Sequence, residues 1–208
     1  MFPKLLSALA SGLFAMATAA HAVESNAPAT ERAFAPVYGK TLPPIGFVEF
    51  CTREKQHCLP DNSNRRRLAL TEAHWKLLQQ INARVNYSIA PVSDLDLYAV
   101  PERWDYPVYA GDCEDYVLLK KRELENLGFS SRALLITVVL DEAGEGHAVL
   151  MVSTTHGDFV LDNRRDAVVR WTDTRYRFLK RQSQEDPRLW VALSEAGKTS
   201  VVEAAQNN

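Results

Sequence analysis

The chain reads as an α+β domain in which helices come first and an antiparallel run of strands follows. Three observations carry this. After the candidate cap Thr71, the apolar residues Trp75, Leu78, Ile81 and Val85 recur at steps of three and four, which predicts an amphipathic helix over residues 71–86. A second helix is predicted at GDCEDYVLLKKRELENLGF, where Asp112 and Asp115 stand at the reciprocal capping spacing, good helix formers follow, and Gly128 occupies the C-terminal capping position. Beyond it the period changes. RALLITVVL (132–140), HAVLMV (147–152) and DFVLD (158–162) are short, apolar and rich in β-branched residues, and the turn DEAGEG and the His156-Gly157 region divide them. They predict three consecutive antiparallel strands, with a fourth over 167–171.

The segments before the first helix are of a different kind. Residues 1–22 combine Lys4, an apolar run over 5–20 and the ending Ala20-His21-Ala22, the make-up of a secretory signal peptide. The apolar run is short for a membrane span. Its cleavage near Ala22 would leave 186 of the 208 residues, enough for one domain, in the periplasm or outside the cell. Cleavage removes Lys4 and no acid, so the formal charge moves from −2 to −3. Such a chain offers a phosphate backbone no complementary surface, which argues against nucleic acid as a partner. Residues 23–44, rich in Ala, Pro, Thr and Asn, are expected to form an extended lead-in, 45–195 the domain, and 196–208 a frayed tail. Residues 88–111, with prolines at 91, 101 and 107 and the acidic SDLD and RWDYP, are expected to be a structured loop.

Three cysteines in an exported chain leave an odd thiol. Cys51 and Cys58 in FCTREKQHCLP have polar residues between them and suit a small disulfide loop in an oxidising compartment. Cys113 is then free. At the start of a helix its thiolate would be favoured by unpaired amides and the helix dipole. Two histidines follow it: His147 opens a strand after a glycine turn, whereas His156 sits beside Gly157 and reads as a turn residue. An imidazole base needs a third group on its other nitrogen, and Asp162 is the candidate. A four-residue hairpin loop over 153–156 would set His147 directly opposite Asp162, with Cβ atoms about 4.5–5.5 Å apart. A tighter turn centred on His156-Gly157 would oppose Asp162 to Met151 instead and separate the pair. Each residue has an ordinary explanation: a core thiol, a strand-edge histidine, a turn cap. In one order and at workable spacings they point jointly to nucleophilic thiol chemistry.

The runs GDCEDYVLLKKRELENLGF, LLITVVL, GHAVLMV and GDFVLDN together resemble the bacterial transglutaminase-like cysteine peptidases, which include the LapG-type periplasmic proteases, over roughly residues 47–190. The resemblance implies a papain-like or transglutaminase-like core in which the cysteine helix packs on the sheet that bears histidine and aspartate. It implies Cys113 as nucleophile, His147 as base and Asp162 as its orienting group, with peptide cleavage through a thioester. It also implies calcium held by Asp112 and Glu114; because calcium takes six to eight oxygens, Asp94 and Asp96 of SDLD are added as candidates from spacing. Without a metal, Asp112 would cap the helix and Glu114 would be a solvated first-turn acid. The implied substrate is a protein, in LapG-type members a surface adhesin cleaved under control of an inner-membrane receptor. For the oxyanion, the Cys113 amide is the expected donor, with a second sought over 104–106, where Trp104 serves equally well as a core aromatic. Two other readings share these residues: a transglutaminase or amidase with the same triad, and a non-catalytic calcium-dependent binding module.

Overall fold

The computed structural model describes residues 33–198, so the expected signal segment 1–22, residues 23–32 of the expected lead-in and all but the first three residues of the expected tail 196–208 lie outside the described residues; those three, 196–198, are helical. In chain order the elements are β1 (Lys40–Thr41), α1 (Ile45–Arg53), α2 (Glu72–Ser88), β2 (Ala90–Pro91), α3 (Asp94–Tyr98), β3 (Ala110–Gly111), α4 (Cys113–Asn126), β4 (Leu134–Leu140), β5 (Gly146–Thr154), β6 (Gly157–Asp162), β7 (Arg165–Arg170), β8 (Arg177–Gln182) and β9 (Trp190–Ala192). The fold is α+β, as expected. Seven strands form one sheet in the order β1-β9-β8-β4-β5-β6-β7, antiparallel throughout.

The two expected helices form for the expected reasons. The Thr71 hydroxyl accepts from the His74 amide at 3.1 Å, a cap worth about 1 kcal/mol, and α2 buries Leu78, Ile81 and Val85. Gly128 ends α4 at φ +88, a left-handed conformation that costs glycine nothing. Every α4 residue from Glu114 to Lys121 is buried, because the helix packs on β5 and β4 and against α2. The meander β4-β5-β6-β7 matches the expected strands. It is apolar on both faces: Leu134, Ile136, Leu150 and Leu161 join the helix-side core with Phe47, Phe50 and Trp190, while Leu135, Val139, Val149 and Met151 form a smaller core on the other face with Phe178. Two covered faces explain why LLITVVL is apolar at every position but Thr137, whose hydroxyl donates to Leu135 O.

Two elements have little sequence signal. α1 buries Phe47 and Phe50, each burial contributing roughly 1.5–3 kcal/mol. Cys51, in its last turn, is disulfide-bonded to Cys58, with Cα atoms 5.7 Å apart. β8 reads RFLKRQ, yet it inserts beside β4, with a register shift between Val138 and Val139. Its buried polar residues find partners elsewhere in the fold: Arg181 Nη1 reaches Asp158 Oδ2 at 3.4 Å, although its Nε has none among the described residues, and the Gln182 side chain accepts from the Ile136 amide at 3.1 Å and donates to Pro187 O at 3.1 Å.

The loop over 88–111 is structured. β2 and β3 pair in parallel, and α3 is capped by Ser93, whose hydroxyl accepts from the Asp96 amide at 3.2 Å. Arg53 donates to Trp104 O at 2.6 Å, and the Arg122 guanidinium lies 3.9 Å over the Tyr106 ring. The disulfide-braced end of α1 and the outer side of α4 therefore clamp this loop in front of the first turn of α4.

Candidate active site

Cys113 is the first residue of α4, and Asp112 precedes it in an extended conformation. Gly111 is required by close approach: a Cβ there would meet Asp115 Oδ2 at 2.4 Å. The expected capping pair does not form. Asp112 makes no side-chain cap bond, and Asp115 Oδ1 instead accepts from the Asp105 amide at 2.8 Å. Asp112 is turned toward the Asp94 backbone and Glu114, so its side chain leaves the helix start uncapped.

The hairpin register differs from the expected one. Thr154 pairs with Gly157 and Leu150 with Leu161, so the turn is Thr155-His156 and the ladder, if continued, sets Asp162 opposite Val149. His147 and Asp162 are thus two positions out of direct opposition. Because the side-chain period of a strand is two, that shift keeps both on the same face, and a diagonal neighbour stays within reach of an aromatic ring. The bond forms: His147 Nε2 and Asp162 Oδ1 are 2.9 Å apart, with both side chains buried. His156 lies in the turn, as expected.

Asp162 is fully partnered. Besides His147 it accepts from Tyr176 Oη at 2.6 Å and from the Arg164 amide at 3.0 Å. Burial alone would raise its pKa, but these hydrogen bonds outweigh burial and hold the carboxyl at about 2. An ionised carboxylate only accepts, so Nε2 carries the imidazole hydrogen and Nδ1 presents a lone pair. Nδ1 is buried and has no hydrogen-bond partner among the described residues. Tyr176 packs edge-on against the His147 ring at 5.6 Å. This positioning phenol was not foreseen, since a lone tyrosine between Arg175 and Arg177 follows no period.

Cys113 and His147 line one cleft of about 290 Å³ together with Pro44, Glu102, Trp104, Glu114, Ala148 and Lys180. Trp104 is a core aromatic, packed edge-on against Phe47 at 5.7 Å, and its Nε1, at the cleft, donates to Glu102 Oε1 at 2.6 Å. The Cys113 thiol donates to Glu114 Oε2 at 3.0 Å. Burial first, and then the charges of Glu114 and Asp112, push this thiol well above its ordinary range, against the help of the Ala148 backbone. Left to these acids, the sulfur stays protonated.

The same acids form a cluster. Ligand atoms of Asp94, Asp112 and Glu114 all lie within 4.8 Å of one another. Burial raises the pKa of Asp94 and Asp112, and burial followed by the Asp112 charge lifts Glu114 to about 9. Asp94 Oδ1 and Asp112 Oδ1 are buried without partners among the described residues, although Arg103 donates its amide to the other oxygen of Asp94. Crowded carboxylates with orphaned oxygens and no nitrogen or sulfur ligand fit a hard cation such as calcium. Of the four residues suggested for the metal, the structure brings together Asp94, Asp112 and Glu114. Asp96 is not among them: it is spent on the N-terminus of α3, where its carboxylate accepts from Ser93 Oγ at 2.7 Å. Glu102, whose charge acts on both Asp112 and Glu114, adjoins the cluster and was not anticipated.

Among curated proteins no sequence matches this chain. Solved structures of Legionella pneumophila LapG are similar to it. The calcium-bound form shares 22% identity with a TM-score of 0.48, covering 62% of this chain and 78% of that one. The EGTA-treated form shares 25% identity with a TM-score of 0.48, covering 59% and 67%. The family profile of the bacterial transglutaminase-like cysteine proteinases matches residues 37–198, and with the profile spanning the whole sheet and the Cys113 helix, the chain belongs to that family and is a cysteine peptidase.

Proposed function

We propose that this peptidase is exported to the periplasm or beyond and cleaves a protein substrate with Cys113 as nucleophile, His147 as base and Asp162 as the group that orients and charges His147. The observation that carries the reading is the unpartnered, buried Nδ1 of a histidine whose Nε2 is held by an ionised aspartate, in the same cleft as the one free thiol among the described residues.

His147 Nδ1 takes the Sγ proton as the thiolate attacks the scissile carbonyl. Asp162 stabilises the imidazolium that forms. The oxygen of the tetrahedral adduct develops beside the Cys113 amide at the helix start. The imidazolium then gives its proton to the leaving amine, which leaves a thioester on Sγ. Water, deprotonated by His147, attacks the thioester; the acid product departs and Sγ regains its proton. Calcium held by Asp94, Asp112 and Glu114 would neutralise the carboxylates that oppose thiolate formation. Export rests on the composition of residues 1–22 and on the Cys51–Cys58 disulfide, a bond that persists in oxidising compartments. A surface adhesin, which the family resemblance implies, is the first substrate to test.

The test compares protein termini in the periplasm and outer membrane of cells carrying the wild type or Cys113→Ala, with and without a calcium chelator. The reading expects new termini that need Cys113 and are lost on chelation. Identical termini in all four samples would sink the protease; termini that need Cys113 but ignore the chelator would sink calcium alone.

A further inference from the structure

Among the described residues that line the cleft with Cys113 and His147, Lys180 alone is a lysine or arginine. The triad and the acidic cluster leave it unused. It comes from the sheet: β8 pairs Lys180 with Val138 of β4, and β4 pairs Val138 with Ala148 of β5, the residue after His147. In-register partners on antiparallel strands share a face, and Val138 and Ala148 pack in the helix-side core. Lys180, Val138 and Ala148 therefore form one row across three strands, and all three line the cleft. The histidine strand is at one end of this row and the ammonium strand at the other. Two strand spacings separate the ends, about 10 Å, which is roughly three residues of extended chain.

Lys180 is half-buried, and among the described residues its ammonium makes one hydrogen bond, donated to Leu42 O at 3.1 Å, and no ion pair. An ammonium has three donors, so two are left over. Burial alone holds its pKa below the ordinary lysine range, with no carboxylate to offset it. The buried Lys121 shows the contrast, since it donates to Leu134 O at 2.6 Å and also pairs with Glu125 at 3.0 Å. The acids of the cleft come from other elements, Glu102 from the loop over 88–111 and Glu114 from α4.

A half-desolvated cation without a counter-charge is costly, and the bond to Leu42 O does not need the charge, because a neutral amide could donate it as well. The position of the charge in a peptidase cleft explains it better. We propose that Lys180 is a specificity-determining residue that binds an acidic side chain of the substrate, an Asp or Glu roughly three residues from the scissile bond. That carboxylate accepts from the donors Leu42 leaves free and supplies the missing counter-charge. Glu102 and Glu114 repel a carboxylate from the other wall, so the charge pattern admits an acid at the β8 end and disfavours it at the α4 end. The inference rests on the peptidase and the Cys113 nucleophile proposed above.

The test is cleavage of a proteome-derived peptide library by the full chain in the presence of calcium, with the cut sites read by mass spectrometry. The wild type is expected to enrich Asp and Glu about threefold, the scale of a half-exposed ion pair, at one position roughly three residues from the cut. Lys180→Met should lose that enrichment and keep the preferences at other positions, and Lys180→Glu should replace it with Lys and Arg. A lysine that only tethers Leu42 would lower the melting temperature and all cleavage alike, without changing which sequences are selected. Absence of acidic enrichment in the wild type overturns the proposal, and that outcome needs no variant to fold; the same enrichment in Lys180→Met overturns it too. A library left uncut, or cut equally by Cys113→Ala, counts against the Cys113 reading instead. Lys180 is then read without catalysis, by alkylation of Cys113 with iodoacetamidohexanoic acid and with its amide. The ratio of the acid rate to the amide rate should fall about threefold in Lys180→Met, and an unchanged ratio overturns the proposal.

Discussion

The two carboxylate groups that flank Cys113 are built in opposite ways. On the His147 side, both oxygens of Asp162 have donors, from a ring nitrogen, a phenol and an amide, and its pKa is held at about 2. On the other side, Asp94, Asp112 and Glu114 crowd together with orphaned oxygens, their pKa values are raised, and Glu114 reaches about 9. The protein alone completes the first site. The second is incomplete without protons or a cation, and it is the one that touches the thiol. The imidazole of His147 is thus held in advance, whereas ionisation of the thiol is left to whatever neutralises the acids.

The largest effect should come from the completed side. His147→Ala is expected to slow alkylation of Cys113 by iodoacetamide about 10²–10⁴-fold, the usual contribution of a positioned base; an unchanged rate would remove the base from the site. On the incomplete side, calcium at a hundredfold excess over its Kd should stabilise the wild type by about 2.7 kcal/mol, read as a rise in melting temperature. Asp112→Asn should abolish most of that rise, and a variant that still responds fully would place the cation elsewhere.

The contrast also predicts opposite pH behaviour. Without metal, Glu114 binds its proton more tightly folded than unfolded, so its contribution is fully present below about 4.5 and is lost as pH rises toward about 9. Asp162 has the reverse sign: its contribution is present above about 3.8 and is lost as pH falls toward about 2. Thermal melts of the calcium-free protein should therefore decline from mildly acid to alkaline pH, and calcium should flatten that decline. A smaller effect is expected from Tyr176→Phe, which removes one hydrogen bond to a charged group and should cost about 1.5–3 kcal/mol on thermal unfolding while leaving the calcium response intact. The smallest belongs to Asp96→Ala. Its carboxylate serves only the start of a five-residue helix, so both melting temperature and calcium response should stay near wild type.

How much of this was legible followed physical scale. Local rules carry the α2 cap, the Gly128 stop, the apolar strands and the pairing of Cys51 with Cys58, because each depends on residues a few positions apart. β8 escaped them because its buried Arg181 and Gln182 are tolerated only through partners on β6, β4 and a later loop. In the site, the order of thiol, histidine and carboxylate could be read along the chain, but their meeting could not. The turn fell two residues from the expected register, and His147 still reached Asp162 because strand faces repeat every second residue. The choice between Asp94 and Asp96, two acids of one short motif, was made by helical geometry that turns the first toward Asp112 and spends the second on a cap. Tyr176 gave no local sign at all. Its role exists only because the sheet brings its phenol to the carboxylate of Asp162, a meeting that no pattern of neighbours records.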